Sequence, residues 1–326
     1  MKKITRILCM MAVVALAFTS CKKQENSAKS VVFNHSMESL VTVDDENEFE
    51  KVYYDQNNQI AFELGDQLTL FDIRDDATPS SSALYQLVTQ NDQTLLTLVT
   101  DETALPATTT GAYYAFYPGQ NVVATDMADH RATFRLDDTQ YYRNAQVGQN
   151  TMLPQGALYI AAKAEQTTLS DAMFNCRNIC GVFKLNLFSP SGKKVKKIEV
   201  TDNLVNIVGD VNLKVDKVDP DVMTTLLNEY GGSNYQADLA DYINEVGYNI
   251  SNPGKTLTLD CGNGVTIGKT KATASPFYLV MRPLALVKGC NIVITFTNGT
   301  TKTVSTSKDI RIKPNTIRNM TAVNVG

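Results

Sequence analysis

The chain has 326 residues, of which 43% are hydrophobic and 20% charged, with a net charge of −4. That is apolar enough to build cores, and the lack of a basic stripe removes the electrostatic footprint of nucleic-acid binding. Only two histidines, His35 and His130, and no tryptophan are present, which leaves little room for His-based catalysis or for tryptophan sugar platforms.

Lys2, Lys3 and Arg6 precede an apolar run from Ile7 to Phe18, then the small pair Thr19-Ser20 and Cys21. The run is too short to span a bilayer and has the form of a signal-peptide core. A cysteine directly after small residues at the cleavage point is the bacterial lipoprotein pattern, here with Phe18 where leucine is usual. On this reading residues 1–20 are a lipoprotein signal peptide, cut between Ser20 and Cys21 by lipoprotein signal peptidase. Cys21 then carries the lipid, so acyl chains tether the chain to a membrane. Ordinary secretory cleavage nearby, with Cys21 an incidental thiol, is the plainer alternative. Residues 21–30 are polar and read as a flexible tether.

Beyond the tether the texture is β. Val31-Val32-Phe33 opens a candidate strand, Gln59–Leu64 alternates apolar and polar residues, Gly65-Asp66 punctuates, and Gln67–Ile73 resumes the alternation. Period two over such lengths marks half-buried strands. Ser82–Thr89, Thr94–Val99, Gly111–Tyr117, Arg131–Leu136 and Ala157–Ala162 continue the series. A second series runs through Gly181–Leu187, Val195–Val200, Thr256–Leu259, Pro276–Met281, Asn291–Thr297, Thr301–Ser305, Ile310–Ile312 and Met320–Val325. Ser189–Gly192 with the lysines that follow reads as a solvated hairpin tip, and Asn298-Gly299 as a type I′ hairpin turn. Asp219-Pro220-Asp221 could cap a short helix, and Gln236–Val246 has helical spacing, so this stretch is expected to be an insertion. The expected fold is all-β, with an N-terminal sandwich over residues 31–172 and a C-terminal sandwich over 173–326.

Chemistry-bearing motifs are sparse. Neither Gly-x-Ser-x-Gly nor a phosphate-binding glycine loop occurs, and Cys261-Gly262-Asn263-Gly264 reads as a loop beside a strand. Asp44-Asp45-Glu46, Asp75-Asp76 and Asp137-Asp138 are read as solvated loops, with no metal and no cofactor expected. Cys176, Cys180, Cys261 and Cys290 allow two disulfides in three pairings, but buried free thiols are the leading reading. Cys176 and Cys180 are four apart, so on a strand both face one core. No enzyme activity is expected.

Several segments resemble those of the Bacteroidales fimbrillin-like (type V pilin) lipoproteins. Ile60–Phe71 is similar to that family's Gly-Asp segment, and Tyr113-Tyr114-Ala115-Phe116-Tyr117-Pro118 to its tyrosine-proline strand. Phe174-Asn175-Cys176 leading into Gly181–Leu187 resembles its entry to the second domain, with Cys176 where members often carry histidine. Phe277–Pro283 and Ile310–Val325 fit its final strands. The resemblance implies two transthyretin-like β-sandwiches in tandem. It further implies export as a lipoprotein to the outer membrane and cell surface, and assembly with other pilin subunits into an adhesive fimbrium.

The resemblance implies that, as in many such subunits, an Arg- or Lys-specific surface protease removes the first strand and a donor strand from a neighbour fills the groove. Val31, Phe33 and Met37 are the candidate exchanged strand, with Leu40–Val43 nearby. Lys51 is the candidate maturation site, being the only basic residue between Lys29 and Arg74. Ala322, Val323 and Val325 form either a candidate donor strand or a fixed edge of the last sheet. The alternative function is a monomeric surface lipoprotein that binds glycan or host protein through exposed tyrosines, with Tyr113-Tyr114, Tyr117 and Tyr141-Tyr142 the densest group.

Overall fold

A computed structural model describes residues 29–38, 40–44, 51–54, 62, 64–99, 102–143, 160–203, 207–217, 249–282, 284–286, 289–308 and 310–326. The fold is all-β, and among the described residues helix is confined to single 3-10 turns. The expected insertion at 219–246 lies outside the described residues, as does most of the expected strand at 59–64. Of that strand Phe62 and Leu64 are described, and Leu64 sits exposed in a turn.

The first core is built on an eight-stranded sheet. Its order is β1 (Ser30–Val32), β7 (Gln93–Leu98), β6 (Ser81–Gln90), β5 (Gln67–Ile73), β8 (Ala112–Tyr117), β12 (Ile160–Ala164), β13 (Met173–Asn178) and β2 (Asn34–Met37). The alternation read in β6 is realised as burial of Ala83, Tyr85 and Leu87. Central β5 is buried from Leu68 to Ile73. Asn91 (φ 51°) and Asp92 (φ 59°) join β6 to β7 as a two-residue turn with both central residues left-handed. This is the type I′ geometry, and Asn and Asp tolerate it better than most side chains.

A second sheet, β9 (Val122–Asp126), β10 (Arg131–Leu136), β16 (Val208–Lys214) and β17 (Asn249–Gly254), completes this core. Phe134 of β10 lies 4.5 Å from Phe116 of β8, centroid to centroid, and Phe116 meets Phe71 edge-on at 5.4 Å.

The second core lies between two further sheets. One is β11 (Thr139–Tyr141), β18 (Thr256–Thr266), β15 (Lys194–Asp202), β21 (Cys290–Phe296) and β22 (Thr301–Ser305). The other is β19 (Ser275–Met281), β14 (Gly181–Phe188), β24 (Thr316–Asn319), β3 (Val41–Asp44) and β4 (Lys51–Tyr54), with β25 (Val323–Asn324) also on β14. Phe183, Leu185, Ile198, Leu259 and Phe277 fill the space between them. A short pair, β20 (Leu284–Leu286) and β23 (Ile310–Ile312), flanks it. The pairs β3–β24, β10–β16 and β11–β18 each join segments from opposite sides of residue 172.

Four local readings change. Cys261–Gly264 is part of β18, which runs on to Thr266. Gly262 (φ +56°) and Gly264 (φ +93°) bend it, and a Cβ at Gly264 would come within 2.4 Å of Thr297 Cγ2. Ser189–Gly192 is a corner that carries the chain from one sheet of the second sandwich to the other. Its Lys193 is only partly exposed: Nζ sits 4.4 Å over the Phe296 ring and donates to the Val325 carbonyl at 3.1 Å. At Asn298-Gly299 the hairpin forms, but only Gly299 (φ +84°) is left-handed and its N–H donates to Phe296 O. A type I turn with a glycine bulge therefore replaces the expected type I′ turn. The terminal strand expected at 320–325 shrinks to β25, and β24 ends before it at Asn319. They are separated where the Met320 N–H donates to Lys184 O and its carbonyl accepts from Asn186 Nδ2.

Candidate functional site

The described residues place the candidate exchanged strand at a singular point of the fold. β1 and β2 are separated only by Phe33, yet they occupy opposite ends of the eight-stranded sheet. The sheet therefore curls until one segment, Ser30–Met37, closes both ends. On one side β1 runs antiparallel to β7, with Val31 opposite Leu96. Leu98 N–H donates to Lys29 O at 2.9 Å and Phe33 N–H to Thr94 O at 3.1 Å. On the other side β2 runs parallel to β13, pairing His35 with Phe174 and Met37 with Cys176. Ser36 Oγ donates to Asn175 Oδ1 at 2.8 Å, Glu38 N–H to Cys176 O at 3.0 Å, and the Arg177 guanidinium grips the Glu38 carboxylate.

Strand alternation explains which side chains do the sealing. Val31 and Phe33 point inward and are buried, Val32 points outward, Met37 packs partly against the core, and Leu40 is buried just beyond. Phe33 is the centre of an aromatic cluster. His35 stacks on it at 4.4 Å, Phe62 meets it edge-on at 5.4 Å, and Phe174 lies at 5.9 Å. Phe62 continues the cluster to Tyr117 at 5.4 Å. Desolvation lowers the His35 pKa, partly offset by a hydrogen bond with the Phe33 backbone. Full burial of Val31, Phe33 and Leu40 at about 1.5–3 kcal/mol each puts the apolar seal at about 5–9 kcal/mol, an upper estimate.

The remaining expected sites are distributed elsewhere. Ser20 and Cys21 lie outside the described residues. Lys51 is the first residue of β4, opposite Asp44, on the outermost strand of its sheet. Ala322 precedes β25, where Val323 pairs with Leu187. Val325 is fully buried in the second core, donates its N–H to Phe188 O at 2.9 Å and receives Lys193. The C-terminal tail is thus seated in the chain's own fold.

All four cysteines of the described residues are free and buried. Burial raises every one of these thiols, Cys176 and Cys261 to about 12 and Cys290 to about 11. They stay protonated and unreactive. Cys176 and Cys180 do share the first core, although Cys180 lies in the turn after β13 and not on a strand. The tyrosine group does not form one surface: Tyr113 and Tyr114 are buried, and Tyr142 packs on Phe277 at 5.5 Å, leaving Tyr141 outward at 54% exposure. Among the described residues no three His, Cys, Asp or Glu side chains are grouped to hold a metal ion.

Two arrangements escape sequence reading. Gln140 is buried, and its amide donates to Val280 O at 2.6 Å and accepts from Val280 N–H at 3.0 Å. A side chain from β11 thereby satisfies the edge of β19 in the facing sheet. Separately, Ser80, His130 and Asp216 come into line from three remote segments. No local spacing could signal either, because the partners are remote in the sequence.

No family model and no curated protein matches the chain. Among solved structures, it is similar to a proposed cell adhesion protein of Bacteroides ovatus at 11% identity and TM-score 0.43, covering 87% of this chain and 89% of that one. It is also similar to a fimbrial protein of Bacteroides ovatus, at 10% identity and TM-score 0.34, covering 92% of this chain and 51% of that one. A third is the tip fimbrial protein Mfa3 of Porphyromonas gingivalis, at 10% identity and TM-score 0.31, covering 74% and 76%.

Proposed function

We propose that this chain is a fimbrial subunit or accessory pilin, made of two transthyretin-like sandwiches. It is exported as a lipoprotein through Cys21 and assembled at the cell surface by strand exchange. One observation carries the reading: a single N-terminal segment supplies the edge partner to both ends of the first sheet while burying Val31 and Phe33. Removing it bares two rows of backbone donors and acceptors and an apolar slot between them, the physical requirement for β-augmentation by another chain. Alternate side chains of the incoming strand would set its register. Cleavage after Lys51 would release β1 to β3 together, and the tail carrying Val323 and Val325 is one candidate donor.

The test is recovery of the protein from its native cells, with mass determination of its N-terminus and its polymer state on a gel run in cold detergent. A ladder of subunits that begin after residue 37 supports exchange. A monomer that keeps lipidated Cys21 and the Ser30–Met37 segment refutes it, and points to the second reading of a monomeric binder. That reading rests on Tyr141, a single outward ring.

A further inference from the structure

Ser80, His130 and Asp216 form a line that the assembly reading does not use. Ser80 lies in the loop before β6, His130 in the turn between β9 and β10, and Asp216 in the 3-10 turn after β16. Ser80 Oγ is 3.2 Å from His130 Nε2. His130 Nδ1 is 3.7 Å from Asp216 Oδ2, at ion-pair range. The imidazole and the carboxylate are each about one-third exposed, at 30% and 32%.

One assignment of the protons fits these contacts and serves nucleophilic attack. Arg74 N–H donates to Ser80 Oγ at 3.0 Å, so one oxygen lone pair is occupied and the hydroxyl proton is free to go to Nε2. With Nε2 accepting, the ring proton belongs on Nδ1, the atom that faces Asp216. Asp216 has capacity to spare, because its Oδ1 is buried with no hydrogen-bond partner. The ring is also held in place. His130 has φ +52°, a left-handed conformation uncommon outside glycine, and its carbonyl accepts from Val215 N–H at 2.8 Å. That last bond ties the histidine turn to the aspartate turn. Arg74 in turn is fixed by its Nε on Asp72 and its Nη2 on Thr108 O, both at 2.8 Å.

We propose that Ser80 is a nucleophile, with His130 as its general base and Asp216 as a positioning residue that holds the imidazole tautomer. The substrate class is an activated acyl ester reached from solvent. Ser80 Oγ forms a bond to the acyl carbon as the bond from that carbon to the leaving oxygen breaks. The hydroxyl proton passes to His130 Nε2 and on to the leaving oxygen. Water then repeats the sequence in reverse and frees the acid. Ser80 and His130 meet the nucleophile–base distance at 3.2 Å, while Asp216, at 3.7 Å, acts on the ring through its charge and not through a hydrogen bond. It goes beyond fimbrial assembly and does not depend on it.

The probe is an alkyl fluorophosphonate, which loses fluoride as a phosphorus–oxygen bond forms at a reactive serine. Folded full-length protein is labelled and its peptides are read by mass spectrometry, beside the burst of nitrophenolate from p-nitrophenyl acetate. The expected result is an adduct on Ser80 in preference to other serines, absent in Ser80→Ala. His130→Asn, which tolerates the left-handed turn, should slow labelling on the order of 10²-fold. Asp216→Asn should slow it less and alter its pH profile. Far-UV circular dichroism establishes that each variant keeps the β fold. Absence of a Ser80 adduct, or equal labelling rates in the wild type and folded His130→Asn, overturns the proposal.

Discussion

Replacing Phe33 by alanine is the sharpest perturbation of the N-terminal closure. Phe33 is only 5% exposed and contacts the rings of His35, Phe62 and Phe174. Phe→Ala in a core costs about 3–5 kcal/mol from lost transfer energy and the residual cavity. Against the upper estimate of about 5–9 kcal/mol for Val31, Phe33 and Leu40 together, that removes a large part of the seal. The effect should be local before it is global. In native-state hydrogen exchange, Leu98 N–H, bonded to Lys29 O, and Glu38 N–H, bonded to Cys176 O, should lose protection together. They lie on opposite ends of the sheet, so common loss is the signature of one segment holding both. Val32→Ala, on the exposed face, should stay within about 0.5 kcal/mol of wild type. If Phe33→Ala leaves both amides protected, or frees one and not the other, the single-closure reasoning is wrong.

Gln140→Leu should cost about 2–4 kcal/mol in denaturant unfolding, because Val280 N–H and C=O would be left buried and unpaired; a loss below 0.5 kcal/mol would show that water or another group replaces the amide. The four core thiols should resist a water-soluble disulfide reagent at neutral pH until the protein unfolds, since burial holds them at about 11 or above; rapid titration of any of them in the folded state would contradict that. His35 binds its proton less readily folded than unfolded. Its contribution is therefore complete above the unfolded value of 6.5 and declines as pH falls below it. Acid should lower stability more in wild type than in His35→Gln between pH 7 and 5, and a steeper decline in the variant would reverse the sign. Lys193→Ala should raise hydrogen exchange at Val325 N–H by releasing the tail carbonyl, with β15 amides unchanged.

Much of the strand framework was legible because period-two patterning is a local property of the chain. Gln67–Ile73, Arg131–Leu136, Thr301–Ser305 and Ile310–Ile312 appear at the expected bounds. Turn chemistry was less secure. Asn298-Gly299 specified a hairpin, but which residue turned left-handed depended on the register of β21 with β22. Asn91-Asp92 adopts the type I′ form, yet without a glycine its sequence signal is weak. Lys193 read as a solvated charge, since nothing in the sequence places Phe296 and the Val325 carbonyl around it.

Sequence alone carried the expectation of lipidation at Cys21 and determined the all-β class and which faces of the strands are apolar, because each depends on residues within a few positions of one another. Only the tertiary structure decided that Ser30–Met37 closes both ends of one sheet, that Gln140 serves a strand of the opposite half, and that Ser80, His130 and Asp216 share a line. Backbone hydrogen bonding is generic, so an isolated strand does not name its partner. Partners are chosen when apolar faces are buried jointly, and that choice belongs to the folded chain as a whole.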